Sequence, residues 1–121
     1  MKTVQIFLVA LVAILHLYFM ILEMFYWTKP KGIKAFGLTK EFAEQSKVLA
    51  ANQGLYNGFL AAGLIWSIIS KNFSYQIAIF FLSCVIIAGI YGAYSTKKVK
   101  LFYIQSVPAI FALIITLLSS N

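Results

Sequence analysis

The chain carries three acidic side chains, Glu23, Glu41 and Glu44, and no aspartate. Only Glu23 falls inside an apolar stretch, so it is the one carboxylate placed to act as acid or base away from bulk water. His16, the single histidine, precedes it by seven positions, two helical turns, which puts both on one helix face. A second group, Asn52, Gln53, Tyr56 and Asn57, sets four polar side chains within six positions of another apolar segment. Amides in hydrocarbon are costly unless protein, water or a ligand satisfies them. Tyr91, Tyr94 and Gln105 complete the set. The chemistry these residues suggest is a polar pocket in an apolar surround. Glu23 is its candidate catalytic group, and His16, Asn52, Gln53, Tyr56, Asn57, Tyr91, Tyr94 and Gln105 are candidate ligand-binding groups.

Each of these residues also has a structural use. Glu23 could be neutral, or paired with a lysine reaching in from the following loop. The three amides could bridge helices. Tyr91 and Tyr94 stand where interfacial tyrosines sit, and His16 suits a neutral hydrogen-bonded histidine better than a metal ligand. Familiar catalytic arrangements are missing. No multiple His or Cys spacing marks a metal site, and no phosphate-binding glycine loop or dinucleotide fingerprint occurs. The absence of aspartate excludes a Ser-His-Asp triad, and a single cysteine, Cys84, excludes an intramolecular disulfide. The sequence names no cofactor.

The elements that must position these groups are transmembrane helices. Of 121 residues, 62% are hydrophobic and 11% charged, against roughly 25% charged in soluble chains. That composition excludes a soluble domain and leaves room for one membrane domain, residues 1–121. Four apolar segments predict an all-α, four-helix transmembrane bundle with spans near 4–27, 41–70, 75–95 and 101–119. Residues 28–40 read as a basic loop punctuated by Pro30, Gly32 and Gly37, with Phe36 and Leu38 folding it back on the bundle or the lipid surface. Thr39 is the expected N-cap of the second span, followed by Glu41 and Glu44 in its first turns. Some 30 residues there make roughly 45 Å, so the first two turns should project into water. On that helix Ala50, Gly54, Gly58 and Ala62 recur every four positions, a small-residue stripe for close helix packing.

All ten basic residues are lysines, and their placement orients the bundle. Lys29, Lys31, Lys34, Lys40 and Lys47 flank the first connection and Lys97, Lys98 and Lys100 the third, against Lys2 and Lys71 on the other side. The positive-inside rule then puts both termini outside and both basic connections in the cytoplasm of a bacterial cell. The lysines meet anionic membrane lipid rather than nucleic acid, because no basic stripe with interleaved aromatics lies outside the spans. In this orientation Glu23 lies about 6 Å deep, Asn52 to Asn57 roughly 6 to 15 Å and Gln105 near 7 Å from the cytoplasmic ends of their spans. The opposite half offers little besides Gln5, Ser67, Ser74 and Gln76, read as interfacial. This asymmetry points to a pocket open to the cytoplasm.

The run from His16 through Glu23 to Trp27, then Phe36-Gly-Leu-Thr, then Lys47 through Gly63, resembles the bacterial domain-of-unknown-function family thirteen-oh-four. The resemblance covers nearly the whole chain and implies a four-span membrane protein without an assigned activity. A more distant likeness is to the MAPEG superfamily of membrane-bound eicosanoid and glutathione enzymes. Glu44 and Asn52 reproduce a Glu–Asn spacing of that family's second helix, and Tyr91, Tyr94 and Lys97 to Lys100 resemble its third span and basic turn. That likeness implies a homo-oligomer, a trimer with sites between subunits. Its arginines, which hold glutathione, have no counterpart here, and lysine lacks their bidentate fork; glutathione chemistry is therefore not expected. The function expected is binding or transforming an amphipathic or lipid-soluble small molecule. The alternatives are a structural or partner-binding membrane protein without a ligand, and a small-molecule exporter.

Overall fold

The structure is a computed structural model describing residues 2–121, with only the backbone of Leu101. It is all-helical among the described residues: α1 Lys2–Phe25, α2 Pro30–Phe36, α3 Lys40–Ile69, α4 Ser74–Thr96 and α5 Val99–Ser119. The long helices start and stop within a few residues of the expected spans. Local signals account for this. The Phe42 amide donates to Thr39 Oγ1 at 3.1 Å, the N-cap bond that fixes the start of α3 and contributes about 1 kcal/mol.

Two expectations change. Residues 28–40 are not all loop, because α2 occupies their centre. Pro30 stands at its start, where a missing N–H costs nothing. Gly37 ends it in the left-handed conformation at φ 63, and the Leu38 amide donates to Ile33 O at 3.0 Å. With the Gly37 amide on Lys34 O at 3.4 Å, this is the paired bonding of a Schellman cap, in which glycine is the favoured residue. The second change is the number of spans. Among the described residues, three helices are long and apolar enough to cross a membrane: Lys2–Phe25, Ser74–Thr96 and Phe102–Ser119. The remaining long helix, α3, has the length, 30 residues. Its four amides, its charged first turns and its glycines dilute the apolar content below that of the others.

The chain forms two compact units. The larger comprises residues 1–15 and 60–121. Its core draws on four helices: Val9, Val12 and Ala13 of α1, Leu64 of α3, Ala78, Leu82 and Val85 of α4, and Ala109 and Ala112 of α5. Small residues at these positions let backbones approach closely. Gly89 is packed so tightly on Ser106 that a Cβ would overlap the Ser106 hydroxyl, and that hydroxyl donates to Ile86 O at 3.2 Å. Gln5 turns inward onto the other helices of this unit. It is 2% exposed and donates to Thr116 Oγ1 at 3.0 Å, so polar groups are not confined to one end of the helices. Gln5 shares the 3.5-residue rhythm of Val9, Val12 and His16, which is why it turns inward.

The second unit, residues 16–59, contains the end of α1, all of α2 and the first part of α3. Ala43, Ala50 and Gly54 are buried along α3, as are His16, Leu22 and Glu23 along α1. The small-residue stripe is used within this unit. A Cβ on Gly54 would meet Met24 Cγ at 2.7 Å and Glu23 Cβ at 3.1 Å, and one on Gly58 would meet Met20 Sδ at 2.8 Å. Ala62, the last member of the expected stripe, is exposed. The buried line on α3 passes instead through Asn57 and Ala61. The reason is geometric: four residues turn a helix about 40° past a full circle, so a strict four-residue repeat rotates off any straight contact.

Candidate functional site

The site is built inside the second unit, where Glu23 of α1 faces the amide-bearing part of α3. Glu23 is 2% exposed. Gln53 Nε2 donates to its Oε2 at 2.7 Å, and Asn57 Nδ2 donates to its Oε1. Gln53 and Asn57 are four residues apart, one turn, so a single helix face offers one N–H to each carboxylate oxygen. Gly54 and Gly58 lie beside them and admit α1 to that distance. Small residues and amides thus act together: the glycines bring the helices close and the amides satisfy the carboxylate.

Beside Glu23 lies an open cavity of about 460 Å³. Glu23, Met24, Trp27 and Thr28 line it from the side of α1, and Lys47, Val48, Ala51, Asn52 and Leu55 from α3. Trp27 is held in place from two directions. Its indole N–H donates to Ser46 Oγ at 3.0 Å, and its ring lies 4.9 Å from that of Phe36 in α2. The short helix in the first connection therefore has a positioning use. Its close approach depends on Gly32, where a Cβ would collide with the Tyr26 carbonyl. Lys47, at the mouth, pairs with Glu44 at 3.2 Å on an exposed surface. Glu23 has no ion pair among the described residues; its two partners are neutral.

The expected site residues separate into groups. Glu23, Gln53 and Asn57 come together. Asn52 lines the cavity, although its amide donates back to Val48 O at 2.9 Å. His16 is fully buried on the Glu23 face of α1, with its ring 5.3 Å from Phe19. Tyr56 is 61% exposed beside Phe59, outside the lining. Tyr91, Tyr94 and Gln105 belong to the other unit, and both tyrosines are exposed. Trp27 and Lys47 were not nominated from the sequence as lining groups. Trp27 has the composition of an interfacial anchor, and its bond to Ser46 joins segments that sequence spacing does not relate. Among the described residues no group of three or more His, Cys, Asp or Glu side chains gathers.

The family described as Protein of unknown function (DUF1304) matches residues 10–117. The chain belongs to this family. The matched DUF1304 region contains every residue of the Glu23 cluster and its cavity. A relative within the comparison is the Uncharacterized protein YpaA of Lactococcus lactis subsp. lactis (strain IL1403). It is 35% identical over 116 residues, covering 94% of this chain and 97% of that protein. No solved structure matches this DUF1304 chain, and the MAPEG likeness rests on the sequence features alone.

Proposed function

We propose that this membrane protein binds or transforms an amphipathic or lipid-soluble small molecule in the cavity beside Glu23. The observation that supports this reading is that Glu23, whose buried carboxylate is held by two amides, lines an open space of about 460 Å³. That size lies within the roughly 300–1,000 Å³ of small-molecule sites, which are mostly apolar with a few convergent polar groups. Intramembrane ionisable residues are expensive and tend to mark functional sites. In the proposed setting α3 is the fourth span and the protein sits in a bacterial cytoplasmic membrane with both termini outside. The cavity then opens in the cytoplasmic half of the bilayer, among lysines that meet anionic lipid. A homo-oligomer is part of the proposal, though Gly54 and Gly58 pack within one chain and leave other surfaces for that contact.

A specific observation favours a second reading. Both carboxylate oxygens already have a donor, so the cluster could serve as an interhelix clamp with no ligand. Glu23→Gln and Asn52→Ala separate the two. The test is thermal stability of wild type and both variants against a library of lipid-soluble compounds. A compound that stabilises wild type and neither variant supports the site. If no compound shifts wild type while Glu23→Gln loses the fold, the cluster is a clamp.

A further inference from the structure

Resting on the site reading above, we infer that the Glu23 cavity selects amphiphiles with a cationic, ammonium-type head, the head beside Glu23 and Trp27 and the tail along α3. The first argument is charge. Gln53 and Asn57 each donate one hydrogen bond to the Glu23 carboxyl, and no cation pairs with it among the described residues. A carboxylate has about four lone-pair sites, of which the amides use two. A neutral head would compete for what remains with ordinary hydrogen bonds. An ammonium head adds a charge-assisted bond or, if quaternary, direct charge attraction in a medium of low dielectric.

The second argument is the indole. Trp27 is fixed by Ser46 and Phe36. Aromatic faces attract quaternary ammonium groups through their ring quadrupole, and Trp27 lines the same space as Glu23. The third argument concerns the rival charge. Lys47 also borders the cavity, but its ammonium is paired with Glu44 at 3.2 Å. An anionic head drawn to Lys47 would compete with Glu44 for it and lie near Glu23. A cationic head leaves the Lys47–Glu44 pair in place. The remaining wall, Met24, Val48, Ala51 and Leu55, is apolar and suits an alkyl chain.

The test uses the full chain in lipid nanodiscs and three tail-matched probes below their micellar concentrations: decyltrimethylammonium, decyl maltoside and decyl sulfate. Binding is read by isothermal titration and by thermal protection. Wild type should bind the ammonium probe roughly 10- to 100-fold more tightly than the neutral one, the worth of one interaction with a charged group. Glu23→Gln should remove that preference. Ala51→Phe, which fills the cavity without touching the carboxylate, should block binding. Equal affinity for all three probes, blocked by Ala51→Phe, overturns the charge selection and leaves the cavity reading intact. Preference for decyl sulfate overturns it likewise. If no probe binds wild type, both this inference and the site reading fail. The comparison on wild type decides the matter even where Glu23→Gln does not fold.

Discussion

Replacing Gly54 with alanine tests whether the close approach of α1 and α3 within residues 16–59 is what brings Glu23 to its amides. The added Cβ would lie 2.7 Å from Met24 Cγ, 3.1 Å from Glu23 Cβ and 3.1 Å from the Met20 carbonyl oxygen. Comfortable contacts begin near 3.5 Å, so the facing helix must retreat by about half an ångström. Overpacking of this kind costs about 1 to 3 kcal/mol. Alanine also returns about 1 kcal/mol of helix propensity relative to glycine. The net expectation is a destabilisation between about 0 and 2 kcal/mol. Gly92→Ala supplies the reference, because a Cβ there meets nothing within 4 Å; it should stabilise by about 1 kcal/mol. The difference between the two substitutions isolates the overlap. Reversible unfolding in mixed micelles measures both. Equal stabilisation by Gly54→Ala and Gly92→Ala would refute the close approach, and with it the account of how Gln53 and Asn57 reach Glu23.

The Gln5–Thr116 hydrogen bond is buried in the larger unit and joins the two ends of the chain. A double-mutant cycle with Gln5→Leu and Thr116→Val should give a coupling of about 0.6 kcal/mol, with about 1.7 kcal/mol as an upper value for such bonds; a coupling of zero would show that the pair does not form. For orientation, a reporter fused after Asn121 should behave as extracytoplasmic, as the lysine distribution requires. Cytoplasmic activity of that fusion would reverse the topology and place the Glu23 cavity in the other half of the bilayer.

Much of this molecule follows from its sequence, for reasons that are local. Composition decides that the chain must live in lipid, because so few charged residues cannot cover a soluble domain. Helix ends are written in short signals, such as the Thr39 hydroxyl that caps α3. The common face of His16 and Glu23 follows from a seven-residue spacing on any helix. Other features needed three dimensions. Pro30 and Gly37 read as punctuation of a loop, yet one opens α2 and the other caps its C-terminal end. Four polar side chains stood together in residues 52–57, and only Gln53 and Asn57 reach Glu23. The choice depends on how α3 is rotated about its axis, and a contact partner some 30 residues away sets that rotation. The same rotation exposes Ala62 and buries Ala61. Gln5 and Thr116 lie 111 positions apart, and nothing in either neighbourhood announces the other. Local chemistry dictates where helices begin, end and face. Which face meets which partner is settled by packing, because interlocking side chains fix a register that no single helix contains.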